Sequence, residues 1–345
     1  MKSIRKWKLR KPNKKRLFSE SSMKGNMMRN RAVVLMMAVF LVSAALPASG
    51  QLTSEAQQAI QKGKDAAQQK DYLSAIRYFE QARVAAPNAP EIYGYLGLAE
   101  SRIGGRELRA VAWYGAYLAA NPRAGNAAAV NSAIAELLKT SENNISLLMK
   151  TWETAAANMP DSADRGPHTD GYRRDFCWMD VGQWYASYGN IEDARRIANA
   201  IPNPEMAGQV FVAIINTQLK AGDTAGAKRT LKSIRDASSQ ESAKDKFDHA
   251  EKLRKDDEVT AGAAVSDWTQ LFVGGAPPGL EGEMFTDLAA SMHPRSSDRS
   301  DLLEHGYGEP WIMVEQLSYV AYNLGSMQKK VERMLKAQAL RQGPQ

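Results

Sequence analysis

Apolar residues recur at the helical period along most of the chain, and no segment shows the strict alternation typical of a strand. In residues 72–86 the apolar stripe consists of Ile76, Phe79, Ala82 and Val84. The same criterion predicts helices over residues 54–69, 91–103 and 106–120. Pro87 and Pro122 stop the second and the fourth of these helices, because proline cannot continue a helix. The pattern therefore predicts two helical hairpins in tandem.

The two hairpins carry the same landmark residues about 34 positions apart. The first hairpin has Gly63, Ala75, Phe79 and Pro87, and the second has Gly97, Ala110, Tyr114 and Pro122. The alanine, the aromatic residue and the proline keep their mutual spacing, and Gly104-Gly105 accounts for one inserted residue. This arrangement resembles the tetratricopeptide repeat, a helix-turn-helix unit that stacks into a curved solenoid.

The resemblance implies a packing role for each landmark. The two glycines let the second helix of the hairpin approach closely, and Phe79 and Tyr114 fill the space between hairpins. Two units are too few for a stable array, so residues 127–138 and 143–159 are expected to add capping helices. We therefore expect a first array over residues 51–160.

A second repeat with a different sequence follows the Asp-, Gly- and Pro-rich loop at residues 160–172, where a domain boundary is expected. Residues 189–196 match residues 222–229, since both contain a glycine turn, a central alanine and a basic pair. This match predicts a second tetratricopeptide-like array over residues 173–262. A third hairpin of that array is expected over residues 242–261.

Residues 263–345 are expected to be helical and to end in an amphipathic hairpin or one long helix. The apolar positions after Pro310 follow a heptad pattern, and they are Met313, Leu317, Val320, Leu324, Met327, Val331 and Met334. Gly325-Ser326 favours a turn, and therefore a hairpin packed on the rest of the protein. The alternative is a homo-oligomer that pairs two copies through residues 311–340. The predicted fold class is all-α.

The positive charge lies at the start of the chain. The formal net charge is +7, but residues 51–345 hold 33 basic and 37 acidic residues, a balance of −4. The uncharged apolar run 32–46 follows the basic stretch and precedes the small residues Ala48 and Gly50. This order predicts a secretory signal peptide over residues 1–50, cleaved after Gly50, and Met23, Met27 and Met28 each offer a later start for it. The protein is then secreted or periplasmic.

The alternative to cleavage is an inner-membrane signal anchor. The apolar run is shorter than the roughly 20 residues that a membrane-spanning helix needs, which favours cleavage and no stable transmembrane span. Cys177 is the single cysteine, so the chain forms no internal disulfide, and its apolar neighbours predict a buried thiol. Residues 51–345 contain no basic stripe with interleaved aromatic residues, so we expect no nucleic-acid binding.

Enzyme signatures are absent from the sequence, which has no GxxxxGK[ST] loop, no GxSxG motif and no HExxH helix. No histidine has a second His or Cys at ligand spacing. We therefore expect no enzyme activity, no cofactor and no metal. The alternative is a helical-repeat enzyme, or an accessory domain of one, with a site in the loops 161–170 and 263–310. The residues of the first loop that could gather a cation are Asp161, Asp164, His168 and Asp170.

The tetratricopeptide resemblance implies that the first helices of the hairpins form an inner, concave surface that grips a partner protein. The residues expected on that surface are Lys64, Gln68, Tyr95, Leu98 and Arg102. Aromatic and arginine side chains are the usual anchors of such interfaces. The predicted function is an exported scaffold or adaptor in the cell envelope, which binds a peptide or a helix of its partner.

Overall fold

The computed structural model describes residues 52–250, 252, 264–271 and 309–342. Within these residues all regular secondary structure is helical, which confirms the all-α fold class. The described residues belong to one compact unit, Gly50–Gln345. The predicted signal peptide, the end of the hairpin expected over residues 242–261 and most of the loop region predicted over residues 263–310 lie outside the described residues.

Twelve helices occur in the described part of the chain. The first five are α1 (Ser54–Gln68), α2 (Tyr72–Ala85), α3 (Pro90–Glu100), α4 (Glu107–Ala120) and α5 (Ala127–Ala157). The next five are α6 (Asp170–Ser187), α7 (Ile191–Ala200), α8 (Pro204–Lys220), α9 (Thr224–Leu231) and α10 (Ala237–Asp248). The last two are α11 (Val265–Gln270) and α12 (Glu309–Gln342).

Consecutive helices pack as four hairpins, which are α1 with α2, α3 with α4, α6 with α7 and α8 with α9. Neighbouring hairpins also touch, since α2 packs against α3 and α6 packs against α8. Helix α8 lies at the centre of the second group and contacts α6, α7, α9 and α10.

Each hairpin turns at one residue with a left-handed backbone. These residues are Lys70 (φ 62°), Gly105 (φ 81°), Gly189 (φ 91°) and Gly222 (φ 79°). Glycine adopts this conformation freely, whereas a lysine does so at a cost of roughly 1 kcal/mol. In three of these turns the N–H of the residue after the left-handed one donates a hydrogen bond to the carbonyl five residues earlier. The pairs are Asp71 to Ala66, Asn190 to Tyr185 and Asp223 to Gln218. The three helices before these turns therefore end in the same Schellman-type motif.

An alanine five residues after each left-handed residue is completely buried. These alanines are Ala75, Ala110, Ala194 and Ala227, and each is 0% exposed. A side chain this small lets the second helix of each hairpin lie close to its neighbours. The two groups of hairpins therefore share one packing scheme, although their sequences differ.

The predicted close approach of the two landmark glycines is confirmed. A Cβ on Gly97 would lie 2.7 Å from Cδ1 of Tyr114, and a Cβ on Gly63 would overlap the ring of Phe79. Both rings are buried, and burial raises the pKa of Tyr114 to about 12. The buried thiol predicted for Cys177 is also confirmed.

Helix α5 is continuous over 31 residues, where the sequence predicts two helices over residues 127–138 and 143–159. The polar residues 139–142 between the two apolar segments include no glycine or proline that would break the helix. Ser141 is buried in line with Leu137 and Ile145, so one buried face runs through the whole helix.

Helix α12 is continuous over 34 residues, so of the two predicted forms the hairpin with a turn at Gly325-Ser326 is wrong and one long helix is observed. Gly325 is buried where α12 meets α6, and a Cβ there would lie 2.8 Å from Cζ2 of Trp184. The glycine therefore serves a close helix-helix approach and not a turn.

Three residues of the heptad stripe of α12 are buried against the protein's own helices. Helix α12 packs against α5, α4 and α6, and it buries Leu317, Leu324 and Val331. The rings of Trp152 on α5 and Tyr322 on α12 meet edge to face with their centroids 6.3 Å apart. Helix α5 also packs against its sequence neighbours α4 and α6, and α12 covers a further part of its apolar face. Pairing of two copies through residues 311–340 stays a prediction.

Helix α11 is held against α4 by Trp268, which is 1% exposed. Gly115 makes room for the indole, because a Cβ at that position would lie 2.6 Å from Cδ2 of the ring. The indole Nε1–H donates a hydrogen bond to Oε1 of Gln338 on α12 over 3.0 Å. Trp268 thus joins α4, α11 and α12.

Candidate partner-binding surfaces

Two of the five residues predicted for the inner surface are in contact. Nζ of Lys64 on α1 lies 4.8 Å from the centroid of the Tyr95 ring on α3, at the distance of a cation–π interaction. The same ring stacks on Phe79, with centroids 5.3 Å apart and an angle of 19° between the ring planes. Tyr95 is partly exposed and is therefore fixed in place while it remains accessible.

Two of the other three predicted residues extend this pair along the same helices. Gln68 lies one turn after Lys64 on α1 and is exposed, and Leu98 lies one turn after Tyr95 on α3 and is half-buried. Arg102 lies in the turn after α3, which ends at Glu100 and not near residue 103 as predicted. We call the surface formed by Lys64, Gln68, Tyr95 and Leu98 the aromatic surface.

A second surface, which the sequence analysis did not propose, lies on α6, α8 and α10. These helices border a cavity of about 410 Å³, which we call the polar groove. Its lining residues are Gln183, Glu205, Gln209, Val212, Ala213, Asn216, Ser238, Ser239, Ser242 and Lys246. Amide and hydroxyl side chains make up most of this lining, and Glu205 and Lys246 are its charged residues.

The close packing of α10 on α8 shapes one end of the polar groove. A Cβ on Gly208 of α8 would lie 2.6 Å from Cβ of Ser239, so only glycine permits this approach. The Ser239 hydroxyl donates to the carbonyl oxygen of Glu205 over 3.5 Å. Across the groove, Nε2 of Gln183 and Oε1 of Gln209 are also 3.5 Å apart.

Asn216 is the residue of the polar groove whose hydrogen bonding is incomplete. Its side-chain oxygen Oδ1 is buried and accepts no hydrogen bond from any residue that the structure describes. A buried polar atom in a native protein is normally paired with protein or with ordered water. Ordered water is the partner that satisfies such an atom when the protein offers none.

The polar groove occupies positions equivalent to Lys64. Counting back six residues from the left-handed residue of each hairpin gives Lys64 from Lys70, Gln183 from Gly189 and Asn216 from Gly222. The two surfaces are thus built by corresponding faces of the first helices. The sequence contained a signal for this groove, since Gln183 and Asn216 each stand six residues before a turn glycine.

The loop before α6 is held together by its own carboxylates. Asp161 pairs with Nη1 of Arg165 at 2.8 Å and with Nη1 of Arg174 at 2.5 Å. Asp164 accepts the N–H of Gly166 over 2.8 Å. Asp161 and Asp164, two of the four loop residues that might have gathered a cation, are thus engaged in fixing the loop's shape.

Asp175 on α6 also belongs to this network, because it pairs with Arg165. It is 2% exposed, and its Oδ2 lies 3.1 Å from Nε of Arg165 and accepts the N–H of Asn203 over 3.1 Å. Burial raises the pKa of the Asp175 carboxyl, and the Arg165 guanidinium opposes that shift. Among the described residues, no three His, Cys, Asp or Glu side chains are placed to hold a metal ion.

Among the helices that the structure describes, none combines the length and apolarity required to cross a bilayer. No protein-family model, curated protein or solved structure matches this chain. Its function is therefore argued from its own geometry.

Proposed function

We propose that this chain is an exported helical-repeat adaptor of the tetratricopeptide type, which binds a partner protein. In this proposal the hairpins of residues 51–160 and 173–262 stack into a solenoid whose inner, concave face is built by the first helices. The observation that carries the proposal is the common packing scheme of the four hairpins, with a left-handed turn residue and a buried alanine five residues later. Repeated units that bury the same face leave the same opposite face available for binding.

The aromatic surface is the proposed site for a peptide or a helix of the partner. Tyr95 is already immobilised by Phe79 and Lys64, so binding costs little further side-chain entropy there. The ring and the neighbouring ammonium group supply an apolar and a cationic anchor. Gln68, Leu98 and Arg102 complete the proposed contact region.

Export is the second part of the proposal. It rests on the basic, apolar and small-residue order of residues 1–50, which is the order of a secretory signal peptide. The adaptor would act in the cell envelope after cleavage behind Gly50. Amino-terminal sequencing of the protein recovered from the envelope fraction should then begin at Gln51, and a sequence beginning at the first methionine would count against export with cleavage.

Site-specific photocrosslinking tests the binding site. A photoreactive amino acid is placed at Tyr95 in one sample and at Val84 in another, and both full-length proteins are irradiated in the producing cells. Val84 is the matched control, because it is 76% exposed on α2. We expect a discrete crosslinked partner from position 95 and none from position 84. The charge reversal Lys64→Glu should weaken that crosslink severalfold without unfolding the protein.

Equal crosslinking at both positions, or none at Tyr95, would contradict the proposed surface. An enzymatic role of the loops 161–170 and 263–310 is not part of the proposal. In the described part of those loops, the carboxylate of Asp161 is paired with Arg165 and Arg174.

A further inference from the structure

The segment of residues 72–123 has a basic surface made by arginine alone. It contains six arginines and no lysine, and all six arginines are at least partly exposed. Two of its four acids, Glu100 and Glu107, are buried. Its surface is therefore basic, although residues 51–345 as a whole carry more acidic than basic side chains. Protein interfaces are enriched in arginine and depleted in lysine, so this composition indicates a contact surface.

Arg83 on α2 is the arginine of this segment that aromatic packing holds in place. Its guanidinium carbon Cζ lies 5.8 Å from the centroid of the Trp113 ring on α4, within the range of a cation–π interaction. Its Nε donates a hydrogen bond to Oε2 of Glu80 over 2.6 Å. Trp113 in turn stacks on Tyr93, with ring centroids 6.1 Å apart and an angle of 8° between the ring planes. Arg83 and Trp113 are both partly exposed, so the guanidinium is oriented and still accessible.

The terminal edge of the Arg83 guanidinium is left for a ligand. Nε is engaged with Glu80, whereas Nη1 and Nη2 bond to no residue that the structure describes. These two nitrogens carry N–H groups at a spacing that matches the two oxygens of a carboxylate. Arg109 lies one turn before Trp113 on α4 and adds a second guanidinium on the same side of that helix. We call the surface formed by Glu80, Arg83, Arg109 and Trp113 the arginine face.

Glu80 decides between two kinds of anionic ligand. Carboxylates and phosphates both match a guanidinium. The Glu80 carboxylate lies within the arginine face and repels a phosphodiester chain, which carries repeated negative charge along its backbone. A polypeptide offers main-chain N–H groups that Glu80 can accept, beside its own acidic side chains. The arginine face therefore favours an acidic segment of a protein over a nucleic acid.

We propose that the arginine face is a second docking site, which binds an acidic segment of a partner protein. A carboxylate of that segment meets Nη1 and Nη2 of Arg83, and a neighbouring apolar side chain packs on Trp113. Glu80 and Trp113 already hold Arg83, so little side-chain entropy is lost on binding. The arginine face lies on the second helices α2 and α4, whereas the aromatic surface lies on the first helices α1 and α3.

The test uses residues 51–345 and a library of random displayed peptides. The basic residues 1–31 are left out because they would attract any acidic peptide, and all described residues belong to the unit Gly50–Gln345. Peptides are selected on the wild-type protein, and their affinities are measured in solution by fluorescence polarisation. We expect a group of binders rich in Asp and Glu that bind Arg83→Gln at least about tenfold more weakly.

Two further variants separate a specific contact from general attraction between charges. Arg123→Gln removes the same charge from an exposed arginine beyond the end of α4, and it should change the affinity by less than about twofold. Arg83→Lys keeps the charge but loses the fork of N–H groups, so the same peptides should bind it about fivefold more weakly. Equal losses for Arg83→Gln and Arg123→Gln would overturn the proposal.

The stability of the free protein separates a binding role from a structural one. The side chains of Arg83 and Glu80 are 34% and 35% exposed, and an exposed ion pair contributes little to stability. Arg83→Gln should therefore leave the thermal midpoint within about two degrees of the wild-type value. A clearly lower midpoint, with or without weaker peptide binding, would mean that Arg83 serves the fold, and would overturn the proposal.

Two results of the selection would overturn it as well. One is failure to select any acidic peptide whose binding depends on Arg83. The other is a thymidine oligonucleotide that binds the wild-type protein more tightly than the peptides do and also depends on Arg83, because the arginine face would then serve a phosphate chain.

The two proposed surfaces can fail separately. A missing crosslink at Tyr95 combined with peptide binding that depends on Arg83 removes the aromatic surface and leaves the arginine face. A crosslink at Tyr95 without any Arg83-dependent peptide removes the arginine face alone. The crosslinking control Val84 lies opposite the buried residues of α2 and outside the arginine face, so it stays a valid control.

Discussion

The ring of Tyr114 lies directly against the backbone of Gly97, so close that a Cβ on the glycine would be 2.7 Å from Cδ1 of the ring. Phe79 lies against Gly63 in the same way in the preceding hairpin. Each of these contacts joins the first and the second helix of one hairpin. The repeat is thus a repeated packing relationship as well as a repeated spacing of residue types.

Gly97→Ala is expected to lower the free energy of unfolding by about 1–3 kcal/mol, measured by urea denaturation of residues 51–345. The added methyl group forces the buried Tyr114 ring away from α3, and this outweighs the higher helix propensity of alanine. Gly104→Ala is the matched control, because no atom lies within 4 Å of its Cβ position. A loss at position 104 as large as the loss at position 97 would contradict this explanation.

Gly325→Ala is expected to destabilise the protein although position 325 lies inside a continuous helix. Alanine normally favours a helix over glycine, but its Cβ would lie 2.8 Å from Cζ2 of Trp184. The thermal midpoint should fall by several degrees, and the fluorescence of the tryptophans should report the change. Ser326→Ala, at the next and exposed position, should leave the midpoint unchanged or raise it. A higher midpoint for Gly325→Ala would show that α12 is not packed tightly on α6.

Glu100 is expected to make the stability depend on pH. The residue is 3% exposed, and burial raises the pKa of its carboxyl above the ordinary value of 4.5, although Arg106 lies 3.1 Å away and opposes the shift. A raised pKa means that the folded state favours the protonated acid. The contribution of Glu100 to the free energy of unfolding is therefore fully present below pH 4.5. It is lost as the pH rises through the pKa of the folded state.

Glu100→Gln imitates the protonated acid at every pH. The variant and the wild type should be equally stable near pH 4, and the variant should be more stable near pH 7 by on the order of 1 kcal/mol. Urea denaturation at both values measures this difference. A wild type that is more stable than the variant at pH 7 would mean that the pairing with Arg106 outweighs the cost of burial.

The first four helices were predictable because their signals are local. Apolar spacing, the prolines after α2 and α4, and the landmark glycines all act within one hairpin. The continuity of α5 and α12 could not be predicted from such signals. Whether Gly325 ends a helix or allows a close contact depends on Trp184, which lies far away in the sequence.

The candidate sites were predictable only in part. The contact of Lys64 with Tyr95 follows from helix periodicity and the repeat, and the structure places the two together. The polar groove was missed because the two groups of hairpins were interpreted as different repeats. Lys70 stands at the turn position where the other three hairpins have glycine. The sequence alone therefore does not show that Lys64 and Asn216 both lie six residues before a left-handed turn residue.

The pairing of α12 with α5 constrains the order in which the protein can form. During synthesis α5 emerges early, and the part of its apolar face that α12 covers stays open until that last described helix has been made. Contacts between such distant segments form slowly, and exposed apolar surface invites aggregation in the interval. The final part of the chain therefore determines when the fold can be completed.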